Sequence, residues 1–262
     1  MEPLSESFLQ SLIDRLDGPD VVGITISGSH ARGEADRYSD VYLSCYVQTL
    51  PEHKMELCTL RYWDARLVSI HTTTIEAERT ELTDPEHAIW AIPGVRQALI
   101  LLDRNGAIAA LKQFAESLCW ADLQPAADEF AAEEIMGCAE EAHKILSGLA
   151  REQESTVLNA VWGLLVGMLR ALAVQRGLLI RTENEYFDLI QGVIGRDSAW
   201  TTAFRLASGC DNGPVNLRPY KLRGAAALAL YRETAAMLDP IIPDHHREVI
   251  ASTLALISEA GY

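Results

Sequence analysis

Along the first 123 positions the apolar residues switch between three-to-four-residue spacing and strict alternation, the pattern of helices and strands interleaved in a layered structure. A helical pattern over 4–16 stops at the Gly18-Pro19 breaker and leads into a β-branched run at 21–27. Further strand patterns fall at 41–47, 66–74 and 98–102, and helical ones at 53–61, 75–82 and 107–120. After Gln124-Pro125 alternation gives way to long Ala- and Leu-rich stretches, which predict helices near 126–151, 156–176, 183–194, 199–207, 220–238 and 245–259. The turn-forming stretch 209–219 reads as the main loop between those helices. The expected fold is therefore α/β (α+β): a small mixed β-sheet domain over 1–123, then an all-α bundle over 124–262.

Charge narrows the function classes. The 262 residues include 22 Lys and Arg against 37 Asp and Glu, a formal net charge of −15. A cut after Ala121 leaves −8 on one side and −7 on the other, so no basic lobe is hidden by the total. General binding to nucleic acid or to an anionic membrane is not expected. The N-terminal stretch has acids where a signal peptide needs bases, and the most apolar run, 156–169, is 14 residues long and reads as a buried core helix. Five cysteines with no Cys-x-x-Cys pair fit a reducing, cytoplasmic setting.

The chemistry concentrates in residues 28–43, GSHARGEADRYSDVYL, between the first two strands. A glycine after a buried strand lets backbone N–H groups approach an anion, so the Gly28-Ser29 turn can hold a phosphate and Arg32, one turn on, can pair with a phosphate oxygen. Neither a Walker A loop nor a nucleophile elbow fits, because Gly33 is followed by Glu34-Ala35 and the elbow's glycine positions hold Ser27 and Ala31. On the second strand alternation gives Val41, Leu43, Cys45 and Val47 one face and Asp40, Tyr42, Ser44 and Tyr46 the other. Two carboxylates at i and i+2 on such a face can hold the magnesium ions of a phosphoryl or nucleotidyl transfer.

Gly28, Ser29, Ala31, Arg32, Gly33, Ser39, Asp40 and Leu43 match a pattern of Gly-Ser-x-Ala-Arg-Gly followed by Ser-Asp-x-Asp on the next strand. In this the segment resembles the nucleotidyltransferase superfamily in its minimal form. The two-part layout resembles minimal nucleotidyltransferases fused to HEPN-type helical domains, and antibiotic nucleotidyltransferases with helical C-terminal halves. The resemblance implies Mg2+ on Asp40, phosphates at Gly28 and Ser29, and transfer of a nucleoside monophosphate from a nucleoside triphosphate to a hydroxyl on a small-molecule or protein acceptor. A homodimer is compatible with it.

Where the family pattern has its second carboxylate this chain has Tyr42, whose phenol ordinarily titrates near ~10, is neutral at physiological pH and is a poor magnesium ligand. Near the expected third position the 66–74 strand offers Ser69 and His71, neither an acid. Asp40 is then the one intact carboxylate, and the alternative reading is a catalytically impaired nucleotide-binding or regulatory module. A HEPN ribonuclease would need Arg-x4-6-His after Gln124, which the sequence lacks. The acids Asp128, Glu129, Glu133, Glu134, Glu140 and Glu141 read as a solvated helix face with Glu140 and Lys144 paired, or as a pocket for a cationic substrate such as the antibiotic-modifying relatives take. Arg218, Lys221 and Arg223 read as a helix-start surface patch, and Asp244, His245 and His246 as surface.

Overall fold

The computed structural model describes residues 4–211 and 218–262. The fold is α+β, a five-stranded mixed sheet with helices and a helical C-terminal part. The chain divides into two compact units: Met1–Asp122 with Leu179–Glu185, and Leu123–Leu178 with Tyr186–Tyr262. The sequence pattern assigns 179–185 to the helical half, whereas in the structure this short segment is part of the sheet unit.

The first unit begins with α1 (Glu6–Leu16), β1 (Val21–Ser27), the short α2 (Gly28–Arg32) and β2 (Val41–Val47). After a 3-10 turn at Lys54–Glu56 come β3 (Cys58–Trp63), β4 (Arg66–Thr73), α3 (Ile75–Thr83), α4 (Pro85–Gln97), β5 (Leu99–Asp103) and α5 (Ala107–Ser117). The sheet order is β3-β4-β2-β1-β5, with β2 and β4 parallel and the other neighbours antiparallel.

Period-two alternation gives this sheet two chemically different faces. Ile24, Ile26, Val41, Leu43, Cys45, Val68 and Ile70 point one way and pack against Phe8 and Leu12 of α1. The other face is polar and aromatic, its rows read directly from the strand register: Ser27–Tyr42–Ser69, then Thr25–Ser44–His71. On that side α5 comes so near β1 that a Cβ on Gly23 would lie 2.6 Å from the Ile108 side chain and 2.8 Å from the Leu102 carbonyl oxygen.

The expected helix at 53–61 is instead the 3-10 turn and strand β3. Thr59, Tyr62 and Trp63 favour extended backbone, and β3 closes on β4 through a two-residue hairpin at Asp64 and Ala65. Both turn residues sit in the left-handed region, φ +48° and +59°. That is the twist a tight hairpin requires, reached here without the usual glycine.

The second unit holds α6 (Trp120–Gly137), α7 (Ala139–Ala150), α8 (Glu154–Gln175), α9 (Tyr186–Ile194), α10 (Ala199–Ser208), α11 (Pro219–Leu238) and α12 (Asp244–Glu259). The pattern at 126–151 predicts one helix, but two form, separated at Cys138. Pro125 lies inside α6, where its missing N–H removes one hydrogen bond without ending the helix. The expected 209–219 loop falls largely at 212–217, outside the described residues.

The core helix is α8, packed by α7, α10 and α11. Val157 of α8 sits in a dent made by two glycines: a Cβ on Gly148 would meet it at 2.7 Å and one on Gly224 at 2.9 Å. At Glu154–Gln175, α8 matches the helix expected at 156–176, and among the described residues it is the one helix long and apolar enough to cross a membrane. Two thirds of its apolar window is buried within the protein, as in a core helix. The fully buried Trp200 donates from Nε1 to Thr234 Oγ1 at 2.9 Å, so its one polar atom is satisfied. Lys144 pairs with both Glu140 and Glu141 at 2.9 Å, Arg170 lies 3.6 Å from Glu134, and Lys221 meets Glu152 at 2.6 Å. The five cysteines are free, Cys45 and Cys138 buried and the others exposed.

Candidate functional site

The polar face of the sheet floors a cleft of about 930 Å3 whose lining residues all belong to the first unit. Gly28, Ser29 and Arg32 come to it from α2, Asp40 from the residue before β2, and Tyr42 from β2 itself. Ser69 and His71 come from β4. All seven residues that the sequence pattern assigns to the site therefore border one cavity.

The turn at its edge needs glycine for a backbone reason. Gly28 has φ +70°, while a Cβ there would meet nothing nearer than Tyr42 Cβ at 3.8 Å. Conformation, not crowding, sets the residue type. One residue past α2, Gly33 also has positive φ and caps the turn. The loop that follows is held by the Asp36 carboxylate, which accepts from the Tyr38 N–H at 2.8 Å and the Ser39 hydroxyl at 3.1 Å. These bonds keep the Asp36 carboxyl below its ordinary range. Within α2, burial first and Arg66 second lower the His30 pKa and favour the neutral ring.

Arg32 is occupied. Its Nε donates to Glu34 Oε2 at 2.7 Å and an Nη donates to the Arg181 carbonyl at 3.1 Å. The Arg181 guanidinium pairs with Glu185 at 2.9 Å, and Ile180 N–H donates to Ile89 O at 2.7 Å. Arg32 thus fastens the 179–185 segment as a wall of the cleft, and a phosphate would have to compete with Glu34 for it. The sequence carries no signal for this role, because the partner lies 149 residues away.

The acids do not assemble as the magnesium pattern requires. Tyr42, 38% exposed, has its phenol pushed up to about 12 by burial and by the nearby Cys58, Glu78, Glu81 and Asp40, so it stays neutral. Among the described residues no three His, Cys, Asp or Glu side chains converge as a metal site. The donor set present, Asp40 with a neutral phenol beside it, does not fit a two-ion carboxylate centre.

Four acids outside the sequence pattern also line the cleft, Asp36, Glu78, Glu81 and Glu183, and Glu78 is the buried one. Glu78 on α3 is only 8% exposed and lines the cavity, with Glu81 one turn further on. Burial, and then Glu81, push its carboxyl up to about 7. Its position near the start of α3 favours the anion through the helix dipole, but desolvation wins. A search for the third acid among strand residues does not find it; the available signal is the i, i+4 pairing of Glu78 with the core residue Leu82 on one face of α3.

No family model matches the chain, and no curated protein matches it. Among solved structures it is similar to a nucleotidyltransferase-like protein from Exiguobacterium sibiricum 255-15, at 12% identity over 96% of this chain and 76% of that one, with a TM-score of 0.49.

Proposed function

We propose that the chain is a nucleotidyltransferase-like protein that takes a nucleoside triphosphate into this cleft, with its phosphates against the Gly28-Ser29 turn. The observation that carries the reading is the succession of β1, a positive-φ glycine, Ser29 and, at the head of the next strand, Asp40, all bordering one cavity. In a transfer the acceptor hydroxyl oxygen bonds to the α-phosphorus, the bond to the β-phosphate bridge breaks, and pyrophosphate leaves with the electron pair while the hydroxyl proton passes to solvent. This chain's residues supply placement: the turn orients the phosphates, and the polar sheet face leaves room for an acceptor.

A specific observation favours the impaired form of this reading. Tyr42 stands beside Asp40 as a neutral group where the magnesium pattern needs a second carboxylate, so any magnesium requirement is weak. The protein is then chiefly a nucleotide-binding module with slow or absent transfer.

Calorimetry with ATP and GTP on the wild type and on Gly28→Asp tests the site. The variant forces a side chain into left-handed backbone and puts a negative charge at the turn, so affinity should fall by about tenfold or more. Equal affinities would overturn the assignment.

A further inference from the structure

Helix α4 carries a glycine that its own packing does not explain. Gly94 lies within the helix, its carbonyl accepts from the Ala98 N–H at 3.1 Å, and its φ is outside the left-handed region. A Cβ at this position would meet nothing within 4 Å. Alanine would hold the helix better, because glycine gives up more chain freedom on folding. What Gly94 provides is space, and the space opens on the cleft, which Trp90, Ala91 and Gly94 all line.

The residue before it builds the facing side. Pro93 has no N–H, so the Ile89 carbonyl, four residues back, lacks its helical donor. The Ile180 N–H takes that carbonyl at 2.7 Å and fastens the 179–185 segment to α4. Ile180 and Thr182 then share the cleft lining with Gly94. The corner between helix and segment is walled by apolar groups, with no side chain at position 94, and suits a flat ring.

A second observation asks for hydrogen-bond donors on that ring. Glu78 belongs to α3, which packs on α4, and lines the same cavity while more than nine-tenths buried. Its carboxyl accepts no hydrogen bond and makes no ion pair among the described residues. The other acids of the lining stand differently: Asp36 accepts from its own loop, Asp40 heads β2 beside the phosphate turn, and Glu81 and Glu183 are not buried. Nearby bases are turned elsewhere, Arg79 over the Phe114 ring at 4.1 Å and Arg96 to the Ala115 and Leu118 carbonyls. A buried carboxylate left in this state is costly until a donor reaches it. Its two oxygens only accept, and guanine presents two N–H groups side by side, N1–H and N2–H. Adenine sets an acceptor, N1, beside its amino group, so the bidentate match belongs to guanine.

We propose that this corner of the cleft receives the guanine base of the nucleotide, its flat face against Gly94 and its N–H edge on Glu78. The proposal rests on the nucleotide reading and narrows it to GTP.

The test is calorimetry at pH 8 with GTP, ATP and tripolyphosphate on the full chain, as wild type, Gly94→Leu and Glu78→Gln, with thermal unfolding of Gly94→Ala. The wild type should bind GTP about tenfold tighter than either ATP or tripolyphosphate. Gly94→Leu fills the corner and should lose the advantage of GTP over tripolyphosphate while its tripolyphosphate affinity stays the same. Glu78→Gln should bring GTP and ATP to within about threefold of each other. Gly94→Ala should raise Tm by about 1–3 °C, because only helix propensity changes. A fall in Tm would show that the glycine serves packing and would overturn the argument from Gly94. GTP binding no tighter than ATP in the wild type, or a GTP advantage that survives Gly94→Leu, would overturn the base site and leave the phosphate turn standing if tripolyphosphate binds. Failure of all three ligands to bind would remove the nucleotide reading and the base site together.

Discussion

Replacing Glu78 by glutamine should make the protein more stable, and the gain should depend on pH. In the folded chain this carboxyl is pushed up to about 7 from an ordinary 4.5, so the folded state holds its proton more tightly than the unfolded state does. Below pH 4.5 both states are protonated and the wild type loses nothing. As pH rises the unfolded state ionises first, and wild-type stability falls until the folded carboxyl has also ionised above about pH 7. At ~1.36 kcal/mol for each pH unit of separation, the loss is about 1 kcal/mol at pH 5 and about 3 kcal/mol at pH 8. Glutamine has the same shape and no titration, so the advantage of Glu78→Gln over wild type should widen by about 2 kcal/mol between those two pH values. Any constant cost of burying the amide cancels in that difference. Urea unfolding followed by tryptophan fluorescence, at pH 5 and pH 8 on both proteins, measures it. A gap that does not change with pH, or that narrows as pH rises, would refute the reasoning, because the carboxyl would then be solvated or paired in the folded state.

Other parts of the structure make their own demands. Gly224→Ala should destabilise the protein by about 1–3 kcal/mol, since the new methyl meets Val157 within 2.9 Å in a packed helix crossing, and an unchanged urea midpoint would contradict that contact. Arg32→Ala removes the hydrogen bond to the Arg181 carbonyl, so amide exchange at Ile180, whose N–H donates to Ile89, should accelerate about tenfold while exchange in β2 stays the same; unchanged protection would show that the segment is held without Arg32. Tyr42→Asp restores an i, i+2 pair with Asp40, so nucleotide binding measured across a magnesium titration should become more magnesium-dependent than in wild type, and fast pyrophosphate release by the wild type would defeat the impaired reading.

What the chain reveals in its sequence depends on the range of the interactions involved. The faces of β1, β2 and β4 follow from alternation, which is local, and alternation by itself puts Asp40, Tyr42, Ser69 and His71 on one face. Strand β3 reads as a helix in the sequence because its hairpin uses Asp64 and Ala65 at positive φ, where a turn signal would ordinarily be Asn-Gly. The sequence pattern has no helix between 82 and 98, where α4 forms with Pro93 inside it. Glu78 and the 179–185 segment escape for another reason. The role of 179–185 comes from residues far along the chain and has no local pattern, while the i, i+4 spacing of Glu78 and Leu82 marks a buried face of α3 without saying what that face lines.

The path of the chain has a consequence for how the protein is made. Synthesis delivers residues 1–122, all five strands included, well before residues 179–185 leave the ribosome, because α6, α7 and α8 are encoded between them. At roughly 5–20 residues per second the sheet has some seconds to form before the Ile180 N–H and the Arg181 carbonyl reach Ile89 O and the Arg32 Nη. The nascent cleft thus lacks one of its walls, and the segment that supplies it arrives only after three helices of the second unit have been made.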